Sequence, residues 1–290
     1  MLDEGVRRDY SNAGASHVLA LSGLHLSIVY GVLLFLFGAD VRRPRWRAFV
    51  QIPILIIVWS YVLLAACPLS LLRAAIMATF FSVGIMLGKG GNALNTLSLS
   101  AFAILLFSPD SLFDVGFQLS YAAVYSILLL FQPLYALLKF RFAVLRYAWG
   151  LVCVSVVAQV GVAPLVVLYF GNVSLSFVVT NLVVIPLVTI IVWAALAYYA
   201  SLACVSVLSV YVAKGLSVLL TALNESVRLI SSVSYSYISN LTVSGIDVIG
   251  YYVAVLLCIA AFRSHRAKRL MLLQVAVVVL LGFHLLATFY

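Results

Sequence analysis

Residues 147–170 read YAWGLVCVSVVAQVGVAPLVVLYF, twenty-four positions without one charged side chain. At about 1.5 Å per residue, a helix of that length reaches roughly 36 Å, enough to cross a hydrocarbon core about 30 Å thick. Similar apolar runs recur on both sides, separated by short polar or basic breaks, and predict spans at 17–37, 49–66, 69–87, 94–107, 115–131, 147–170, 175–203, 207–230, 246–262 and 270–289. Of the 290 residues, 66% are hydrophobic and 9% charged, with a mean hydropathy of +1.21, a composition that no water-soluble fold can cover with polar surface. A membrane barrel would need alternating segments of about ten residues, and none is present. The expected fold is therefore all-α, a polytopic transmembrane helical bundle of about ten spans, some broken or amphipathic. The run at 207–230 is the amphipathic one, because Lys214, Asn224, Glu225 and Arg228 interrupt it.

The net charge of +9 is explained first by topology. Arg42, Arg43, Arg45 and Arg47 follow the first span, Lys89 the third, Lys139, Arg141 and Arg146 the fifth, and Arg263, Arg266, Lys268 and Arg269 the ninth. The intervening connections 67–68, 108–114, 171–174 and 231–245 carry no Lys or Arg, and Asp110 and Asp114 lie in the second of them. The positive-inside rule then places the basic loops in the cytoplasm and both termini outside. Residues 1–16 hold Asp3, Glu4, Arg7, Arg8 and Asp9 ahead of the first apolar run, which reads as an extracytoplasmic juxtamembrane segment and not as a cleavable signal. Cys67, Cys153, Cys204 and Cys258 stand singly and read as small packing residues.

Polar side chains inside spans are costly unless they face protein or water, so they are the site candidates. His17 opens the first span, and Ser22 and His25, three residues apart, share a helix face, with Gly23 between them allowing a break or a close approach. By spacing alone, an interfacial position or ordinary hydrogen bonding to neighbouring helices accounts better for the two histidines. Arg73 lies just inside the third span, placed to snorkel or to line an aqueous cavity. Asp114 and Gln118 are four apart at the start of the fifth span, and Asp114 also suits a helix N-terminus. Gln159 and Pro164 in the sixth span, and Asn181 and Pro186 in the seventh, predict the interrupted helices that a transport path uses, although proline kinks also occur without transport. No HExxH, GxSxG or GxxxxGK[ST] pattern exists, so no catalytic residue, metal site or cofactor is expected.

Four stretches carry a resemblance: SHVLALSGLH at 16–25, PLSLLRAAIM at 68–77, SPDSLFDVGFQLS at 108–120, and Phe170-Gly171 followed by Asn181 and Pro186. In this order, across residues 12–189, they resemble the membrane region of the ComEC competence family. The resemblance implies a bacterial cytoplasmic (inner) membrane channel that passes single-stranded DNA during natural transformation, with residues 17–290 as the channel domain. Family members commonly add an OB-like domain before this region and a metallo-β-lactamase-like domain after it. Too few residues precede the first span and no HxHxDH pattern follows, so both are expected to be absent and the chain reads as part of a longer protein. The implied partners are single-stranded DNA, the lipid bilayer, a DNA receptor and a cytoplasmic helicase-like motor, and a homo-oligomer is compatible with them. His17, Ser22, His25, Arg73, Asp114, Gln118, Gln159 and Asn181 would then line the path, with Gly23, Pro164 and Pro186 as helix breaks. A secondary transporter of a small solute is the alternative. An intramembrane enzyme built on His17 and His25 lacks a third ligand or a nucleophile.

Overall fold

A computed structural model describes residues 4–15, 22–37, 44–87, 92–204, 206–232, 237–238 and 241–263. Ten α-helices run through them: α1 (Glu4–Asn12), α2 (Gly23–Leu36), α3 (Pro44–Leu64), α4 (Leu69–Met86), α5 (Ala93–Phe107), α6 (Val115–Tyr135), α7 (Ala143–Phe170), α8 (Phe177–Cys204), α9 (Ser206–Ser231) and α10 (Gly245–Arg263). A short 3-10 helix, η1 (Pro109–Phe113), joins α5 to α6. Four helices are long and apolar enough to cross a membrane, at Leu69–Met86, Val115–Tyr135, Ala143–Phe170 and Phe177–Tyr199. Gly23–Leu36, Phe49–Leu64, Ala93–Phe107 and Gly245–Leu257 are shorter apolar helices. Outward-facing side chains such as Leu64 and Phe107, 87% and 88% exposed, suit a hydrocarbon solvent and not water. His17, Arg42, Arg43, Lys89, Arg266, Lys268, Arg269 and the predicted last span at 270–289 lie outside the described residues.

The chain divides into two compact units, residues 1–117 with 176–236, and residues 118–175 with 237–290. In the first unit, α3 turns one stripe inward: Val50, Ile54, Val58 and Val62, each four residues on from the last, are buried against Leu26 of α2 and Leu71 and Ala75 of α4. Gly23 lets α2 approach α4 closely, since a Cβ there would stand 3.3 Å from that of Ala74. A polar cluster ties the same three helices together. The Tyr30 hydroxyl donates to Gln51 Oε1 at 2.8 Å and lies 2.9 Å from Ser82 Oγ, with Gln51 and Ser82 both buried.

The segment read as a juxtamembrane tail folds as α1 and docks on α8 and α9. Tyr10, Ala13 and Ala15 pack with Val184, Val188, Leu223 and Val227. Tyr10 Oη donates to Asn224 Oδ1 at 2.8 Å, and burial pushes its phenol above the usual range. Thr180 Oγ1 donates to the Ala13 carbonyl at 2.7 Å, which pins the end of α1. That end is closed by Gly14 at φ 76°, with Ala15 N–H reaching Tyr10 O and Gly14 N–H reaching Ser11 O. The same closure ends α3 without glycine: Cys67 N–H bonds Val62 O and Ala66 N–H bonds Leu63 O, with Ala66 at φ 61° and Cys67 at φ 53°. Pro68 then starts α4.

In the second unit, α7 ends at Gly171, whose left-handed φ of 64° caps the helix through its N–H to Val167 O. The chain leaves into a two-residue strand, β1 (Val173–Ser174), paired antiparallel with β2 (Tyr237–Ile238), a small addition to an otherwise helical fold. Ser244 and Asp247 cap α10 reciprocally, with Ser244 N–H on Asp247 Oδ2 at 2.9 Å and Asp247 N–H on Ser244 Oγ at 3.4 Å.

The helix breaks expected at Pro164 and Pro186 are not seen: α7 and α8 each continue through their proline as a single helix. The reason is visible at Pro164. A proline there removes the N–H that would bond Val160 O, and the Tyr251 hydroxyl of α10 donates to that carbonyl at 3.0 Å. The neighbouring Tyr252 donates to Gly161 O at 2.7 Å. Gly161 also permits the approach of α6, because a Cβ would lie 2.6 Å from Ala122 O and would overlap Ser126 Oγ.

Candidate functional site

Arg73 stands one turn into α4, with its side chain only 10% exposed. A buried guanidinium needs a counter-charge, and η1 delivers it. Pro109 and the 3-10 turn bring the chain round so that Asp114 sits just ahead of α6, where its Oδ1 accepts the Phe117 N–H at 2.7 Å as a helix cap. The same Oδ1 receives Arg73 Nη1 at 3.3 Å, and the carboxylate is 41% exposed. Gly116 makes room for the pair, since a Cβ there would fall 3.1 Å from Arg73 Nη2 and 3.2 Å from Asp114 Oδ1. One carboxylate oxygen therefore fixes both the start of α6 and the position of the cation.

Beside this pair lies a cavity of about 410 Å³. Its walls are apolar, from Leu72, Ile76 and Phe80 of α4 and Ala103, Ile104 and Phe107 of α5. Ser108, Ser111 and Asp114 join Arg73 among the residues that line it. Trp59 and Thr79 also line it, but their polar atoms satisfy each other, Trp59 Nε1 donating to Thr79 Oγ1 at 3.1 Å and Thr79 Oγ1 to Ala75 O at 2.8 Å.

The remaining site residues foreseen in the sequence do not join this group. His25 Nδ1 accepts the Ser22 N–H at 3.3 Å and lies 3.0 Å from Ser22 Oγ, so the two residues close the N-terminus of α2, with His25 in the place that Glu or Gln takes in a capping box. That use requires Nδ1 to be unprotonated. Gln118 belongs to the second unit, where its Oε1 accepts the Tyr169 hydroxyl at 2.8 Å. Gln159, in the same unit, is half-buried on α7. Asn181, on α8, has its Oδ1 buried with no hydrogen-bond partner among the described residues. His17 lies outside those residues. The sequence reading missed Gly116 and the Trp59–Thr79 and Tyr30–Gln51–Ser82 contacts. For Gly116 a signal was available, two residues after an acidic cap.

The model of the family described as "Competence protein" matches residues 1–266. Among curated proteins, the chain is similar to ComE operon protein 3 of Bacillus subtilis (strain 168), with 30% identity over 191 residues. The aligned stretch covers 65% of this chain and 23% of that relative, so the chain spans about a quarter of the relative's length. No solved structure matches.

Proposed function

The chain belongs to the competence protein family, and from that premise we propose that it is the membrane-embedded channel domain through which single-stranded DNA enters a bacterial cell during transformation. The match over residues 1–266 carries this reading. In it, the helices cross the cytoplasmic membrane about ten times, the loop with Lys139, Arg141 and Arg146 faces the cytoplasm, and both termini face outward. Those three basic side chains are exposed, as a loop that meets anionic lipid headgroups or an emerging strand requires. The connection at 108–114 would lie outside, which makes the Arg73–Asp114 pair part of the entrance.

The domain has no enzymatic role in this reading, and the energy for uptake comes from partners: an outer DNA receptor and a cytoplasmic motor. Asn181 is the strongest of the path candidates, because its buried amide oxygen retains hydrogen-bonding capacity that Ser22, His25, Asp114 and Gln118 spend on protein groups. Arg73 has the different task of holding the entrance together.

The test is uptake of labelled DNA in cells that lack the gene, complemented with the wild type, Asn181→Ala or Arg73→Ala. Restored internalisation by the wild type, and its loss in both variants at normal protein level, is the expected result. Uptake that persists when the gene is deleted overturns the function. Full uptake by Asn181→Ala removes that residue from the path.

A further inference from the structure

We infer that the cavity between α4 and α5 is a binding site for one acyl chain of a phospholipid, with the lipid phosphate beside Arg73. The inference rests on the chain being embedded in a membrane and is independent of what the domain transports. Its 410 Å³ falls in the range of roughly 300–1,000 Å³ typical of small-molecule sites. Leu72, Ile76 and Phe80 recur every four residues, so they form one apolar stripe along about 12 Å of α4. Ionised groups line it only beside the start of α4 and the η1 connection, at Arg73 and Asp114. Farther along α4, the one hydroxyl among the lining residues, Thr79, is engaged by Trp59 and by its own helix.

A space that is charged at one end and apolar along its shaft fits an amphiphile. A sugar or a nucleic acid strand would leave its polar groups unpaired against Ile76, Phe80 and Ile104, and water is not retained by an apolar wall. Charge chooses the headgroup, because the cation at this end of the cavity is a guanidinium, which presents five donors in a fixed fork suited to phosphate. The rim residues Leu69 and Phe107 are 61% and 88% exposed, so the opening is flanked by side chains that contact hydrocarbon in a bilayer.

The experiment uses the whole chain purified in mild detergent, with native mass spectrometry to count retained lipid. A second arm uses a form whose sole tryptophan is Trp59, made by replacing Trp46, Trp149 and Trp193 with Phe. Phosphatidylglycerol with dibrominated acyl chains is titrated into it, with quenching of Trp59 as the readout. The expected result is one retained phospholipid per chain and quenching that saturates near one lipid per protein. Ala103→Phe, which fills the cavity, should abolish both, and Ala103→Leu should weaken binding several-fold if the larger side chain prevents folding. Retention that is unchanged in the folded Ala103 variants, or quenching that never saturates, overturns the site. Equal competition by diacylglycerol, which has the chains without the phosphate, overturns the role given to Arg73.

Discussion

Tyr251→Phe removes one hydroxyl and orphans one backbone carbonyl, and its cost should depend on a residue 87 positions away in the sequence, Pro164. In the wild type, Val160 O has lost its helical donor to the proline and receives the Tyr251 hydroxyl at 3.0 Å instead. A net hydrogen bond contributes about 0.5–1.5 kcal/mol. Side-chain hydrogen bonds within membrane proteins average about 0.6 kcal/mol and reach about 1.7. About 1 kcal/mol is therefore expected for Tyr251→Phe in the wild-type background, a fall in Tm of roughly 2–4 °C. In Pro164→Ala the new N–H at position 164 takes over Val160 O, so Tyr251→Phe should cost about half as much or less, with a coupling of at least roughly 0.5 kcal/mol. Equilibrium unfolding of the four proteins in detergent micelles measures this. Tyr252→Phe is the control, because the helical donor for Gly161 O is the N–H of Leu165, present in both backgrounds, and its effect should be additive. A cost for Tyr251→Phe that is identical with and without the proline refutes the account of how α7 survives Pro164.

Two other substitutions test local geometry. Ala66→Gly should raise stability by up to about 1 kcal/mol, because Ala66 holds a left-handed φ of 61° at the end of α3, a conformation that costs an alanine roughly 1–2 kcal/mol and glycine little, less what glycine loses from greater freedom in the unfolded chain. A fall in Tm would sink that reading of the turn. Asp114→Ala should cost at least the roughly 0.5–2 kcal/mol of a lost helix cap, with a further loss from leaving the buried Arg73 without its counter-charge. Asp114→Asn keeps a cap oxygen and should recover only the first part, so equal destabilisation by both variants in thermal unfolding would show that the cap contributes nothing.

Several apolar helices were legible because hydrophobic run length is a local property, although only four of the described helices are long and apolar enough to cross a membrane. The run predicted at 69–87 is the helix Leu69–Met86, that at 94–107 is Ala93–Phe107, and that at 147–170 lies inside Ala143–Phe170. Proline was misread because its consequence is not local: it frees a carbonyl, and whether the helix breaks depends on a donor such as Tyr251 from another helix. α1 was passed over because Glu4–Asn12 is polar and short, and its burial comes from the partner surface on α8 and α9. A glycine, Gly14, takes the left-handed turn at the end of α1, whereas Ala66 makes the same turn at the end of α3 with no glycine to mark it. Arg73 and Asp114 were each singled out by cost, but their pairing across 41 residues is set by η1, which periodicity does not show. The spacing of Asp114 and Gln118 placed them on one helix face and suited Asp114 to a cap; the cap is present, and the two side chains take different partners, Arg73 and Tyr169.

The cost of a polar group in a membrane makes it conspicuous, but what it does follows from where its hydrogen bonds go. Ser22 and His25 spend theirs on a helix end, and Gln118 spends its carbonyl oxygen on Tyr169. Asp114 divides one oxygen between a cap and a cation, so it joins α4 to the start of α6 through a single atom. Gly116 shows that this arrangement depends on space as well as charge, since a Cβ there would stand 3.1 Å from Arg73 Nη2 and 3.2 Å from Asp114 Oδ1. In the proposed channel, a residue whose polar capacity is committed in this way would contribute shape, and Asn181, whose buried oxygen has no hydrogen-bond partner among the described residues, would be the kind that binds what passes. The two classes separate experimentally: loss of the first should lower stability and uptake together, and loss of the second should lower uptake while leaving the unfolding transition where it was.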